Sequence, residues 1–126
     1  MITLDTHALL WWTLAPGELS SAARRAIDAT ETLGVSAIVF WEVALLARKR
    51  KIDLGTTATE WARDVLSLPR IVALDITPAI ALRAEALAMH ADPADRLIVA
   101  SALVSESPLV TRDALIKKAK LLTTIW

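Results

Sequence analysis

The sequence predicts an α/β fold, with a mostly parallel sheet of about four to five short strands flanked by helices. Short β-prone runs alternate with segments of helical periodicity along the whole chain. Strands separated by helices need crossover connections, which favour a parallel sheet covered on both faces in a three-layer α/β/α arrangement. The length of 126 residues suits one domain, and no linker or repeat is visible. Residues 1–126 are therefore predicted to form a single domain.

The first half of the chain predicts two strands and four helices. A β-prone run at residues 2–4 precedes a helical pattern at 6–13, and a serine can cap the next helix, which runs to about residue 30. Residues 33–36 are predicted to form the second strand. Residues 37–49 and 57–68 predict two further helices, the first of which ends in a basic run at 48–51 that the helix dipole favours.

The second half repeats this alternation. Residues 71–74 predict a third strand, and Thr77-Pro78 opens a helix reaching about residue 89. The Asp92-Pro93 turn leads into a helix at 95–105, and residues 109–111 predict a fourth strand. A short helix at 113–119 follows, and residues 121–125 can form a last strand.

Composition excludes several kinds of site. The chain has no cysteine, so disulfides and thiolate metal sites are absent, and with only two histidines a zinc site would be mostly carboxylate. The 14 basic residues balance the 14 acidic ones, so net charge gives no sign of nucleic-acid binding. No apolar stretch is long enough for a membrane span and no signal peptide is recognised, so we expect a cytoplasmic protein without membrane contact.

Acidic residues recur at corresponding places along the chain. Asp5 and Asp113 lie at or just beyond the carboxyl ends of predicted strands, where open α/β sheets bind their ligands. Asp95 opens a predicted helix and shares its inward face with Ile98 and Val99. Each of these acids alone can be explained as a helix cap. Their joint pattern instead indicates one shared site.

Glu42 is the acid that capping explains least. It is spaced to share a helix face with Ile38, Leu45 and Leu46, so its carboxylate is expected along an apolar stripe. An unpaired buried charge there would cost several kcal/mol or stay protonated. Two carboxylates about 4 Å apart repel by roughly 4 kcal/mol at an effective dielectric near 20, so a cluster of acids calls for a cation. Hard oxygen ligands favour Mg²⁺ or Mn²⁺.

Two other aspartates have simpler explanations. Asp75 also follows a predicted strand, but Thr77 before Pro78 is the natural cap there and the segment is an ordinary turn. Asp92 fits Asp-Pro turn chemistry, although its position three residues before Asp95 allows it to support the site.

With these residues identified, the sequence resembles the PIN-domain family, and specifically the toxin ribonucleases of bacterial VapBC toxin-antitoxin modules. The resemblance covers nearly the whole chain and rests on motifs that occur in the family's order. The motifs are Ile2-Thr3-Leu4-Asp5-Thr6-His7, Ser36-Ala37-Ile38 through Trp41-Glu42, Asp92-Pro93-Ala94-Asp95-Arg96-Leu97-Ile98, and Leu109-Val110-Thr111-Arg112-Asp113.

The resemblance implies a metal-dependent endoribonuclease toxin. It implies that RNA phosphodiester bonds are hydrolysed by metal-activated water, leaving 5′-phosphate and 3′-hydroxyl ends. It also implies a VapB-like antitoxin as partner and a homodimer. His7 and His90 are expected to be structural. The resemblance assigns the catalytic and metal ligands for Mg²⁺ or Mn²⁺ to Asp5, Glu42, Asp95 and Asp113, with Thr6, Thr111 and Asp92 as supports.

Basic and aromatic residues supply candidate contacts with partners. Arg96 and Arg112 each adjoin a proposed ligand and are predicted to contact the RNA backbone. The basic run at 48–51 is better explained as a solvated helix end, and the lysines at 117, 118 and 120 could also reach phosphates. Trp11 and Trp12 are adjacent, so one should be partly exposed, in an antitoxin groove or as a base-stacking platform. Trp41 and Trp61 are expected in the core.

Two other functions compete with this interpretation. A catalytically silent PIN fold that only binds RNA or protein would be expected to have lost acids, and all four are present. A receiver-like phosphoacceptor also clusters aspartates around Mg²⁺, but it would place paired acids after its first strand, where Thr6-His7 stands here.

Overall fold

The computed structural model describes residues 1–126, and five strands form its single sheet. The strands are β1 (Ile2–Leu4), β2 (Leu33–Ser36), β3 (Ile71–Leu74), β4 (Leu109–Val110) and β5 (Thr124–Ile125). They pair in parallel throughout, in the order β3-β2-β1-β4-β5. The strand that comes first in the sequence is thus the middle of the sheet, where Thr3 lies between Gly34 and Leu109. The predicted parallel α/β fold is confirmed.

Seven helices connect and cover the strands. Most of them begin where a Ser, Thr or Asp side chain accepts a backbone N–H, which satisfies a donor that the first turn leaves free. None has both the length and the apolar character needed to cross a membrane. They are α1 (Thr6–Leu14), α2 (Ser21–Ala29), α3 (Ala37–Arg48), α4 (Ala58–Leu66), α5 (Pro78–Ala86), α6 (Pro93–Val104) and α7 (Ala114–Ala119), with a 3₁₀ turn at Pro16–Glu18.

The core lies on both faces of the central strands. Every residue of β1, β2 and β4 is buried, which is the pattern of a parallel sheet covered by helices on both sides. Buried hydroxyls in this region are paired with each other. Ser101 on α6 donates to Ser36 over 3.0 Å, and Thr3 and Ser107 are joined by a hydrogen bond of 2.5 Å. These bonds tie α6 and the segment before β4 to the sheet.

Three details differ from the sequence predictions. Helix α5 ends at Ala86 rather than near residue 89, because Leu87 is already extended. The fully buried face of α3 is formed by Val39 and Val43, not by the predicted stripe, so Glu42 lies at the edge of the core. Trp61 is buried as predicted, but Trp41 is 58% exposed, so its prediction as a core residue was wrong.

Candidate metal centre

The centre of the sheet brings two of the predicted acids together. Asp5 follows β1 and Asp113 follows β4, and these strands are paired neighbours. The ladder continues past β1, since Asp5 donates its N–H to the Val110 carbonyl over 3.1 Å. Each aspartate also caps a helix: one oxygen of Asp5 accepts from the Ala8 N–H at 2.8 Å, and one of Asp113 accepts from the Ile116 N–H at 2.9 Å. Capping uses only one oxygen of each carboxylate.

Helices α3 and α6 bring the other two acids to the same place. Thr6, at the start of α1, donates its hydroxyl to Glu42 on α3. Asp95, in the first turn of α6, is paired with His90, whose Nε2 lies 2.6 Å from its Oδ2. The predicted inward face of α6 is present, because Ile98 and Val99 are both buried.

One cavity of about 470 Å³ joins these side chains. Its lining is mainly polar, and it contains the four predicted acids together with Thr6 and Asp92. Asp92 also caps α6 by accepting the Ala94 N–H at 2.9 Å. The lining residues are Asp5, Thr6, His7, Trp11, Glu42, Asp92, Asp95, Ile98, Arg112 and Asp113.

The closest grouping of ligand atoms includes a residue that the sequence did not single out. One ligand atom from each of His90, Asp95 and Asp113 lies within 4.8 Å of the others. His90 was expected to be only structural, and no periodicity could indicate otherwise, because it lies in a turn that brings it back onto α6. His7 was also expected to be structural, but it is exposed on the cavity lining.

The surroundings of the cavity disfavour ionisation of three of its carboxyl groups. Burial raises the pKa of Asp5, although hydrogen bonds from Thr111 and the Ala8 backbone oppose this. Burial also raises the pKa of Glu42, against the hydrogen bond from Thr6, and neighbouring carboxylates raise it further. The pKa of Asp95 is raised by burial and by nearby aspartates. The only basic side chain within ion-pair distance of an acid in this cluster is His90, whose Nε2 lies 2.6 Å from Asp95 Oδ2.

These raised pKa values predict how stability changes with pH in metal-free protein. Between the ordinary carboxyl pKa and the raised one, the folded chain binds more protons than the unfolded chain. The contribution of these groups to the free energy of unfolding therefore falls as the pH rises through that window. We expect urea unfolding in chelator to show stability rising as the pH is lowered towards the ordinary carboxyl pKa of about 4. Asp5→Asn should flatten this slope. A slope of the opposite sign in that range would contradict the assignment.

Thr111 contacts two of the predicted acids. Thr111 is fully buried after β4, hydrogen-bonds to the Asp5 side chain, and accepts the Asp113 N–H at 3.0 Å. It therefore links the two acids of the sheet.

Asp75 is exposed after the edge strand β3 and does not line the cavity, while Thr77 caps α5 as predicted.

Arg96 does not have the role that was predicted for it. Its guanidinium donates to the backbone carbonyls of Ala84, Leu87, Met89 and His90 over 2.8 to 3.0 Å, with a longer contact to Glu85. These carbonyls belong to the end of α5 and the turn that precedes α6. The side chain is committed to the protein backbone, so its prediction as an RNA-backbone contact was wrong. Arg96 instead holds the turn that carries His90 to Asp95.

The remaining basic and aromatic residues divide between the cavity and the outer surface. Arg112 is exposed on the cavity lining, with its Cζ 5.0 Å from the centroid of the Trp11 ring. Trp12 is half-buried and does not line the cavity. Arg70 Cζ lies 5.8 Å from the centroid of its ring. The basic run at 48–51 is exposed at and beyond the end of α3, as are the lysines at 117, 118 and 120 around the end of α7.

The donor set fits a divalent cation. Several carboxylates and one imidazole converge without a salt bridge to a lysine or arginine, although Arg112 also lies on the cavity lining, and burial makes ionisation of the acids unfavourable. Carboxylate oxygens are the usual ligands of Mg²⁺ and Mn²⁺, and a bound cation would favour the ionised form of each acid. The residues present are therefore suitable for holding such an ion.

Comparisons with known proteins identify the family of the chain. Residues 2–121 match the family model of the PIN domain. The chain is 40% identical over 114 residues to Ribonuclease VapC22 of Mycobacterium tuberculosis, a match covering 89% of this chain and 86% of that protein.

Solved structures share the fold at low sequence identity. VapBC2 from Rickettsia felis, solved bound to a DNA fragment from its promoter, matches with a TM-score of 0.70 and 18% identity, covering 98% of this chain and 97% of that chain. Mycobacterium tuberculosis VapC20, described as a sarcin-ricin loop cleaving toxin, matches with a TM-score of 0.70 and 17% identity, covering 95% of both chains. Given the family match over residues 2–121 and the 40% identical relative, the chain belongs to the PIN-domain family.

Proposed function

We propose that this PIN-domain protein is a metal-dependent endoribonuclease that acts as the toxin of a toxin-antitoxin pair. The observation that carries the proposal is the convergence of Asp5, Glu42, Asp95 and Asp113 on one cavity at the carboxyl edge of the sheet. The 40% identical relative is named a ribonuclease, which supports RNA as the substrate.

The four acids would hold Mg²⁺ or Mn²⁺. A bound ion of this kind lowers the pKa of water and neutralises charge on the phosphate and the leaving oxygen. The 2′-hydroxyl is then not required as nucleophile, so the products would carry 5′-phosphate and 3′-hydroxyl ends.

Neighbouring side chains keep the acids in position. Thr6 donates to Glu42, Thr111 links Asp5 to the backbone before α7, and His90 is paired with Asp95. Such outer hydrogen bonds fix ligand orientation, and their loss commonly costs about 10- to 100-fold in affinity or activity. Asp92 adds negative charge at the rim and raises the pKa of both Glu42 and Asp95, which strengthens attraction for a cation.

Cleavage of cellular RNA by the purified protein tests the proposal. We expect discrete cuts with Mg²⁺ or Mn²⁺ and none in chelator. Sequencing of the cut ends would identify both the end chemistry and the RNA target. Cleavage that persists in chelator would contradict the metal dependence, and the absence of any cleavage with either metal would contradict the function.

Bound metal is also expected to stabilise the fold. A cation that binds only the folded chain raises its melting temperature, and here it also relieves repulsion among the acids. Glu42→Gln should raise the melting temperature of metal-free protein and reduce the metal-dependent increase, which differential scanning fluorimetry would measure. The exposed Glu60 on α4 offers a control, since Glu60→Gln should leave the metal-dependent increase unchanged. Equal responses of both variants would remove Glu42 from the metal site.

Two partners are part of the proposal. A VapB-like antitoxin is supported by similarity to VapBC2 of Rickettsia felis and to the toxin-antitoxin complex of Klebsiella pneumoniae, and Trp11 and Trp12 are candidate residues of its groove. The proposal also includes a homodimer and a cytoplasmic location. Co-expression with a VapB-like antitoxin and light scattering of the purified complex would test the partner and the stoichiometry.

The competing functions have less support. Retention of all four acids and of the residues that orient them does not favour a silent binding module. Receiver-like sheets have the order 2-1-3-4-5, whereas this sheet has the order β3-β2-β1-β4-β5.

A further inference from the structure

The turn between α5 and α6 is held mainly by a side chain from outside it. Residues 87–92 form no helix or strand, and the only backbone hydrogen bond within them joins the Met89 N–H to the Leu87 carbonyl over 3.0 Å. Arg96, on the 12-residue helix α6, donates to the carbonyls of Leu87, Met89 and His90, each over 3.0 Å. The path of the turn therefore depends on the guanidinium of Arg96.

His90 connects this turn with one acid of the metal centre. Its Nε2 lies 2.6 Å from Asp95 Oδ2, and the two side chains are only 20% and 19% exposed. Arg96 thus holds the backbone of His90, while the ring of His90 contacts the residue that precedes Arg96. A carboxylate that is hydrogen-bonded in this way is held in one orientation toward a bound cation.

The position of His90 allows two different roles. One ligand atom from each of His90, Asp95 and Asp113 lies within 4.8 Å of the others, so the imidazole could itself bind a cation. Alternatively, it donates a hydrogen bond to Asp95 and leaves the cation to the carboxylates. Only the first role requires a lone pair on Nε2.

The second ring nitrogen favours the role as a donor. His90 Nδ1 is buried and has no hydrogen-bond partner. If Nε2 bound a cation, the proton of the neutral ring would be on Nδ1, as a buried donor without an acceptor, which is unfavourable. Histidines that bind metals almost always donate their second N–H to a carboxylate, a carbonyl or water. With the proton on Nε2, the ring donates to Asp95 and no N–H is left unpaired.

We propose that Arg96 and His90 are positioning residues that set the metal affinity of the site through Asp95. Arg96 fixes the turn, and His90 donates its Nε2–H to Asp95 without binding the cation itself. This inference rests on the metal site of the proposed function, and it adds Arg96 to the residues on which that site depends.

Isothermal titration calorimetry with Mn²⁺ tests the role of His90 without relying on cleavage. His90→Phe keeps an aromatic ring and removes the Nε2–H, so it should weaken Mn²⁺ binding about tenfold or more. In His90→Gln an amide N–H can replace the Nε2–H, so most of the affinity should be retained. Equal losses in the two variants would overturn the donor role.

Spectroscopy of bound Mn²⁺ distinguishes a donor from a ligand directly. Electron spin echo envelope modulation detects a nitrogen that is bound to the metal. We expect no such nitrogen signal that is present in native protein and lost in His90→Phe. A signal that disappears in this variant would show that the imidazole is a ligand, and the proposal would be wrong.

A double-mutant cycle tests whether Arg96 acts through His90. Arg96→Lys keeps the charge but not the planar set of donors, so it should weaken Mn²⁺ binding severalfold. In the His90→Phe background it should have little further effect, because the contact that it supports is already lost. Additive losses, or unchanged affinity in Arg96→Lys, would overturn the role of Arg96.

Controls separate this role from general stability. All variants are compared at a temperature at which circular dichroism shows them folded, and Arg96→Gln, which keeps two N–H donors, replaces Arg96→Lys if the latter does not fold. Arg83→Lys makes the same change at an exposed arginine on α5 and should leave Mn²⁺ affinity unchanged.

The inference and the proposed function can fail separately. Native protein that binds Mn²⁺ but cleaves no RNA would contradict the proposed function alone, and the affinities would still decide the roles of His90 and Arg96. If native protein cleaves RNA with Mn²⁺ and the variants bind the ion as tightly as Arg83→Lys, only the inference is wrong. Native protein that binds no Mn²⁺ would contradict both.

Discussion

Asp5→Asn is expected to lower the rate of metal-dependent RNA cleavage by about a hundredfold or more, because an amide oxygen replaces a charged ligand at the centre of the acidic cavity. The variant should remain folded. Asp5 caps α1 through one oxygen, and asparagine is an equally good cap, so the substitution removes charge without removing the cap. Cleavage rates at saturating Mn²⁺ together with circular dichroism would measure both effects.

Asp75→Asn is the matched control for this prediction. Asp75 also follows a strand, but it is exposed beside the edge strand β3 and lies outside the cavity. Its substitution should leave cleavage unchanged. Full activity in Asp5→Asn, or equal losses in both variants, would contradict the assignment of the acidic site.

The second large effect is expected at Arg96. Arg96→Ala would leave the carbonyls at the end of α5 and in the following turn without their charged donor. Because hydrogen bonds to charged groups contribute about 1.5 to 3 kcal/mol each and are not additive, we expect a loss of about 3 kcal/mol or more in unfolding free energy. In a domain of this size that corresponds to a melting temperature lower by on the order of 10 °C. Urea and thermal unfolding would measure it.

Two further variants show whether the geometry of the guanidinium matters. Arg96→Lys keeps the charge but cannot offer several donors in a planar fork, so it should recover only part of the stability. Arg83→Ala removes an exposed arginine from α5 and should change stability little. If Arg96→Ala were as stable as Arg83→Ala, the structural role of Arg96 would be wrong.

Much of the fold could be predicted because local patterns and tertiary structure agree. The strands β2 and β3 and the caps at Asp5, Thr77 and Asp113 follow from short apolar runs and from side chains that accept backbone N–H groups. The end of α5 could not be predicted in this way. It depends on Arg96, which comes from the next helix and takes the carbonyls that a longer α5 would have used.

The residues of the acidic site could be predicted from the sequence, but their arrangement in space could not. Strand ends identified Asp5 and Asp113, and positions on helix faces identified Glu42 and Asp95, before the family resemblance assigned all four as ligands. The helical periodicity of α3 misled in detail, since it predicted an inward stripe, whereas the fully buried residues are Val39 and Val43. It could not show that Trp41 is exposed. His90 was missed because its contact with Asp95 depends on the path of a turn, which sequence patterns do not determine.

The position of β1 in the sheet has a consequence for synthesis of the chain. The strand β1, which comes first among these strands in the sequence, pairs on one side with β2 and on the other with β4, where Thr3 meets Leu109. A nascent chain that has completed α3 already contains Asp5 and Glu42, but it lacks the strand that positions Asp113. Because domains fold as units, the cavity can form only after β4 and Asp113 have been translated. A truncated product would therefore carry the first acids of the site without a nuclease centre.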